Sequence, residues 1–182
     1  QATARLGARS DDWSRAVAVA SLLRQRGRLQ GGLDDVLRAE SVLNAAFSVA
    51  PDGGGPVLAR AALHLSLHRL LAAQADLDGV AARAFRTTSQ AQTLASLQAS
   101  LALQRGELDA AEDGYRAQEA AGRSPGTAVG LAQVAWARGR YAEADQWFVT
   151  SGERYHGIFK EPIVWAHLQR GLLDLDRGRP AD

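Results

Sequence analysis

The 182-residue chain contains no cysteine and no methionine, and Lys160 is its only lysine. The missing cysteine excludes disulfide bonds and thiol catalysis. A chain that begins at Gln1 rather than at methionine indicates removal of a signal peptide or a fragment of a longer protein. Together these absences favour an exported bacterial protein over a cytosolic one.

The chain also lacks a strong charge of either sign, a long apolar run and an alternating pattern. Its 21 basic and 20 acidic residues leave a net charge of +1, so no electrostatic field favours nucleic acid or anionic lipid. No apolar stretch is long enough to span a bilayer, and we expect no membrane insertion. Because 46% of the residues are hydrophobic, with many alanines and leucines, the chain can bury a core and form one domain.

What the sequence does contain is a short glycine-centred segment that recurs four times. Ala/Leu-rich runs precede the copies, which are residues 25–29, 104–108, 137–141 and 176–180. Gly106 and Gly139 are 33 residues apart. Self-similarity with a period of this size is typical of stacked helix pairs.

Each complete copy predicts a first helix, a glycine turn and a second helix. Before Gly139, Leu131 belongs to an apolar stripe with steps of three and four residues. The glycine suits the left-handed conformation that ends a helix. After it, Ala144 and Phe148 lie on one face of the second helix. The small alanine lets the two antiparallel helix axes approach each other.

This pattern resembles the tetratricopeptide repeat (TPR) family. That family places a large and a small residue in the first helix, a glycine and an aromatic at the turn, and small, aromatic and small residues in the second helix. The fourth unit follows this order with Leu131, Ala132, Gly139, Tyr141, Ala144, Phe148 and Ser151. The resemblance implies an all-α, right-handed α-solenoid of about four and a half helix-turn-helix repeats. It covers the chain from about Asp11 to the end and implies a single domain over residues 1–182. The units lie near 11–53, 54–90, 91–123, 124–158 and an incomplete 159–182.

The first two units depart from the motif. In the first unit we expect the turn at Gly27, lengthened by an insertion around residues 30–32. In the second unit Ala75 replaces the turn glycine, and we expect a short second helix. Other α-solenoids with similar packing and similar functions stay open as alternatives to the TPR family.

Few residues are candidates for chemistry. His64 and His68 are four residues apart on a predicted helix, a spacing that can hold a metal ion, but no third ligand is indicated. We interpret them as partly buried structural histidines. Ser151, Glu153 and His156 would need the fold to bring them together before they could act as a nucleophile and base. We interpret this segment as a connecting loop, and we expect no catalytic residue, no metal site and no cofactor.

The resemblance implies that the first helices line a concave surface that binds a partner. Its predicted contact residues are Arg24, Arg69, Leu97, Ser100, Gln104, Gln133, Trp136 and Gln169. This mixture suits an extended peptide or a partner helix, since glutamine side chains can pair with a peptide backbone. The lining lacks the lysines and asparagines with which chaperone-binding members hold an acidic carboxyl terminus. Tryptophan is enriched at interface hot spots, so Trp136 is the first candidate for contact.

The sequence therefore predicts a non-catalytic scaffold that binds a protein or peptide of unknown identity. One alternative is self-assembly, because nothing follows the last helix to cover its apolar residues. Those residues are Leu168, Leu172, Leu173 and Leu175. A second alternative is a small-ligand-binding or enzymatic repeat protein with a pocket near Trp136 and Arg69, because fold alone does not determine function.

Overall fold

The structure, a computed structural model, describes residues 13–50, 54–158 and 160–178. These residues form α-helices and no strand, so the predicted all-α class is confirmed. Contacts divide the chain into two compact units, residues 1–90 and residues 91–182. We call them the amino-terminal unit and the carboxy-terminal unit.

Nine helices lie within the described residues. Those of the amino-terminal unit are α1 (Trp13–Gln30), α2 (Leu33–Ser48), α3 (Val57–Ser66) and α4 (Leu70–Ala81). Those of the carboxy-terminal unit are α5 (Thr88–Arg105), which begins at the boundary, α6 (Leu108–Ala121), α7 (Pro125–Ala137), α8 (Tyr141–Glu153) and α9 (Glu161–Asp176). Short turns join α1 to α2, α3 to α4, α5 to α6 and α7 to α8.

The four turns inside these helix pairs share one hydrogen-bonding pattern. One residue takes a positive φ angle, and the N–H of the next residue donates to the carbonyl five residues before it. The left-handed residues are Gly31, His68, Gly106 and Gly139, with φ angles of 67°, 53°, 78° and 71°. The corresponding N···O distances are 3.1, 2.9, 2.9 and 2.8 Å. This arrangement satisfies carbonyls that the end of a helix leaves free.

Two predicted turns are misplaced. Gly27 does not end α1 but lies inside it, and a Cβ atom added there would be 3.0 Å from the Gly32 carbonyl oxygen. Gly31 provides the left-handed residue instead. In the second pair, Ala75 lies within α4, and His68 occupies the turn. The prediction of a short second helix in this pair is also wrong. The second helix, α4, has 12 residues, whereas the first helix, α3, has 10.

The second helices of three pairs bury the same two kinds of residue. A small residue follows the left-handed residue by five positions, and a large one follows it by nine. The small residues are Ala73, Ala111 and Ala144, and the large ones are Leu77, Tyr115 and Phe148, none more than 4% exposed. Burying a large side chain of this kind contributes roughly 1.5–3 kcal/mol. The pattern predicted from the alanine and aromatic spacing is therefore present in the packing.

The two histidines of the second pair lie in different environments. His64 is half-buried on α3, with its Nε2 atom 3.8 Å from Oδ2 of Asp76 on α4. Asp76 also accepts two hydrogen bonds from Arg60, at 2.5 and 3.0 Å. Burial lowers the pKa of His64, and Arg60 adds to that effect. His68 is exposed in the turn, so the prediction that both histidines share a helix and are partly buried is wrong for His68.

Ion pairs join neighbouring helix pairs of the carboxy-terminal unit. Glu112 on α6 accepts hydrogen bonds from Arg116 at 2.8 Å and from Arg140, just before α8, at 2.7 Å. The hydrogen bond from Arg140 is the main reason why the pKa of Glu112 is lowered. Near the other end of these helices, Arg154 donates to both oxygens of Glu119, at 2.7 and 2.9 Å. These contacts fix α6 against the turn between α7 and α8 and against the end of α8.

Candidate binding surface

Two of the predicted contact residues lie in the amino-terminal unit. Arg24 is half-buried on α1, which is a first helix as the register predicts. Arg69 lies in the turn before α4, and its guanidinium pairs with the Glu40 carboxylate on α2. The predicted placement of Arg69 on a first helix is therefore wrong, because the turn at His68 comes earlier than expected.

The other six predicted residues lie on first helices of the carboxy-terminal unit. They are Leu97, Ser100 and Gln104 on α5, Gln133 and Trp136 on α7, and Gln169 on α9. Gln104 is exposed and the other five are half-buried. This unit therefore presents apolar, hydroxyl and amide groups from its first helices, and none of these six side chains carries a charge.

Trp136 is held in one orientation by two neighbouring helices. Its indole Nε1 donates a hydrogen bond to Oδ2 of Asp176, near the end of α9, at 2.8 Å. Its ring meets Phe148 of α8 edge to face, with the centroids 6.3 Å apart. Trp165 of α9 meets the same phenyl ring at 6.2 Å. A half-exposed indole fixed in this way loses little conformational entropy when a partner binds it.

Ser100 supports the core as well as the surface. Its hydroxyl is 2.9 Å from the hydroxyl of Tyr115, and either oxygen can donate. Burial raises the pKa of the Tyr115 phenol, and the hydrogen bond with Ser100 partly opposes that shift. The hydrogen bond gives a buried polar group its partner. Ser100 is therefore only partly available to a ligand.

Leu97 lines a cleft of about 390 Å³ between the first half of α5, the end of α6 and the start of α7. The other lining residues are Gln92, Thr93, Ser96, Gln118, Ala121, Gly122, Ser124, Gly126 and Thr127. None of the lining side chains is charged. Hydroxyl and amide groups around one leucine can accept an uncharged polar chain, such as a peptide backbone with one apolar side chain.

Local residues explain the shape of this cleft. Ser124 caps α7 by accepting the N–H of Thr127 at 3.0 Å, and Pro125 follows at the first position of the helix. The Gln118 side-chain amide donates to the carbonyls of Ala95 and Gly114, which ties α6 to α5. Sequence reasoning found Leu97 but missed Gln118, because Gln118 belongs to a second helix and only its distance from α5 reveals its role.

The candidate chemical groups are not assembled into a site. Ser151 is buried on α8, whereas Glu153 and His156 are exposed, and no hydrogen bond connects these three described side chains. No group of three potential metal ligands occurs among the residues that the structure describes.

The last helix carries apolar side chains on two faces. Leu173 is completely buried against Ala135 and Ala144, so the prediction that it lacks cover is wrong. Leu168, Leu172 and Leu175 are 59%, 41% and 59% exposed. The expectation that these three leucines are uncovered is met within the described residues. Pro180, the predicted start of a further helix, lies outside the described residues.

Comparisons with protein-family models, with curated proteins and with solved structures found no match. Among the described helices, none combines the length and the apolar character that crossing a lipid bilayer requires.

Proposed function

We propose that this chain is a TPR-like scaffold without catalytic activity, which binds an extended peptide or a partner helix on the first-helix surface of its carboxy-terminal unit. The observation that supports this best is the uncharged cleft at Leu97, together with the fixed, half-exposed indole of Trp136. Leu97 and Trp136 belong to first helices, and the end of the second helix α6 completes the lining of the cleft.

The recurring turns support the repeat part of the proposal. In four pairs, the turn contains a left-handed residue and the same backbone hydrogen bond. In three of these pairs, the second helix buries a small residue five positions after the left-handed residue and a large residue nine positions after it. Units built on one such plan stack in repeat proteins and present equivalent side chains along one surface. A right-handed solenoid in a single domain is the arrangement that we propose for them.

The chemistry of the surface supports the choice of ligand. A peptide needs partners for its backbone N–H and C=O groups, and the amides of Gln133 and Gln169 can be both donors and acceptors. Trp136 provides an apolar anchor of the kind that dominates interface energies. Because the cleft lining is uncharged, a strongly charged partner segment would lose its hydration there without gaining an opposite charge.

A peptide-display selection tests the proposal. Selected peptides should bind the wild-type protein, and Leu97→Glu should weaken binding about ten-fold or more, because it places a charge inside the cleft. Leu71→Glu is the matched control: Leu71 is 83% exposed on α4, in the other unit. It should leave the dissociation constant within about two-fold. Equal affinity of the two variants would exclude the cleft as the binding site.

A further inference from the structure

In each helix pair, one residue near the end of the first helix provides the carbonyl that accepts the recurring hydrogen bond of the turn. This residue lies four positions before the left-handed residue. In three pairs it is small and buried, namely Gly27, Ala102 or Ala135. In the α3–α4 pair it is His64, whose carbonyl accepts the N–H of Arg69 at 2.9 Å. A titratable side chain therefore lies where the other pairs have almost no side chain.

The imidazole of His64 is largely shielded from water. Its side chain is 15% exposed, and its Nδ1 atom is buried without a hydrogen-bond partner among the described residues. Its Nε2 atom is 3.8 Å from Oδ2 of Asp76, which is too long for a hydrogen bond. Both oxygens of Asp76 already accept hydrogen bonds from Arg60. This environment suits the neutral imidazole, since a buried cation with an unpaired donor costs more than an unpaired acceptor.

We propose that His64 makes the α3–α4 pair sensitive to acid: the pair stays closed while the imidazole is neutral and loosens when the imidazole takes up a proton. Protonation adds an N–H group at Nδ1, where the described structure offers no acceptor. It also creates a second cation beside Arg60, and the two cations then compete for the carboxylate of Asp76. Because the carbonyl of His64 accepts the hydrogen bond of the turn, a displacement of this residue affects the turn directly.

The charged groups around His64 come from three helices and the turn. They are Arg60 on α3, Asp76 on α4, Glu40 on α2 and Arg69 in the turn. Each carboxylate already has an arginine as its partner, since Asp76 pairs with Arg60 and Glu40 pairs with Arg69. Burial is the largest cause of the lowered pKa of His64, Arg60 and Arg69 add to it, and the two carboxylates oppose it. The surroundings therefore disfavour a third cation.

The sign of the pH dependence follows from the lowered pKa of His64. A histidine in an unfolded chain has a pKa of about 6.5. Between that value and the lower pKa of His64, the unfolded chain binds more protons than the folded protein, so acid favours opening. The stabilisation is fully present above the unfolded pKa and is lost as the pH falls through the folded one. Opening would give water access to Leu63 on α3 and Leu77 on α4, which are completely buried in the closed pair.

Hydrogen exchange of the full chain, measured by mass spectrometry at about pH 7.5 and about pH 5, tests the proposal. Wild type and His64→Gln are compared at each pH, because glutamine is neutral at both. On acidification, the amides of α3 and α4 should lose more protection in the wild type than in His64→Gln. An equal loss in the two proteins would overturn the proposal.

His68→Asn is the matched control for the exchange experiment. His68 is exposed in the same turn, and asparagine tolerates its left-handed φ of 53°. This variant should lose protection on acidification as the wild type does. If it instead behaves like His64→Gln, the acid sensitivity does not depend specifically on the buried imidazole, and the proposal is wrong.

An NMR titration measures the protonation itself in the folded wild-type protein. The chain has four histidines, and the imidazole resonance that is missing from His64→Gln identifies His64. It should titrate with a midpoint below about 6.5, and the backbone signals of α3 and α4 should change with the same midpoint. A midpoint at or above that value, or changes in the pair with a different midpoint, would contradict the proposal.

Discussion

Single residues with a left-handed backbone decide where the helix pairs turn. The glycines at 106, 139 and 178 could be predicted, because each follows a helical pattern and no other residue adopts positive φ as readily. His68 could not be predicted, since a non-glycine residue at such an angle is uncommon, although histidine is among those enriched there. Gly27 was misleading because Gly31, four residues later, offers a second glycine at which the helix can end.

A substitution at one of these turns has a predictable cost. Gly139→Ala forces a side chain into a left-handed conformation with φ of 71°. We expect it to lower the free energy of unfolding by about 1–2 kcal/mol. Urea unfolding followed by tryptophan fluorescence measures this, since Trp136, Trp147 and Trp165 all lie in the carboxy-terminal unit.

Gly152→Ala is the control for that prediction. Gly152 lies inside α8, has no positive φ, and has nothing within 4 Å of an added Cβ. Alanine there should stabilise the protein by up to about 1 kcal/mol, because it favours the helix. If Gly139→Ala and Gly152→Ala lower the free energy of unfolding by the same amount, the left-handed conformation of Gly139 is not the cause of the loss.

At the scale of elements, the spacing of small and large residues correctly predicted which side chains α6 and α8 bury, namely Ala111, Tyr115, Ala144 and Phe148. It failed for α4, because the turn before that helix was misplaced. It did not reveal how one pair packs on the next. Tyr115 of α6 lies against Gly130 of α7, and a Cβ at Gly130 would be 2.3 Å from the phenol ring. Gly130 is buried within a helix, where glycine has no conformational advantage. Only the position of the ring explains its presence.

This contact predicts a sign reversal between two backgrounds. In the wild type, Gly130→Ala should destabilise the carboxy-terminal unit by roughly 1–3 kcal/mol, because the buried ring of Tyr115 cannot move aside. In a Tyr115→Leu background the same change should stabilise it by up to about 1 kcal/mol, since the helix gains an alanine. A double-mutant cycle of urea unfolding measures the coupling. If the effects of Gly130→Ala and Tyr115→Leu on the free energy of unfolding are additive, the ring of Tyr115 does not determine which residue is tolerated at position 130.

For the whole molecule, the sequence predicted more of the architecture than of the site. The all-α class follows from helical periodicity, which local residues carry. The cleft at Leu97 brings together the ends of three helices, and a pattern in one segment cannot show such a meeting. The hydrogen bond between Trp136 and Asp176 joins residues 40 positions apart, so only the fold reveals that this indole is fixed. For Arg69 the prediction from sequence was wrong. The turn lies at His68, earlier than expected, so Arg69 is in the turn and not on a first helix.

The central claim is that a partner binds the first-helix surface of the carboxy-terminal unit. The most direct test is ¹⁹F NMR of protein labelled with 5-fluorotryptophan, titrated with a peptide from the display selection. The chain has four tryptophans, and each should give one resonance. We expect the resonance of Trp136 to shift on binding, while that of Trp147, which packs on the α5–α7 core from a second helix, keeps its position. A shift of Trp147 with no change at Trp136 would contradict the account.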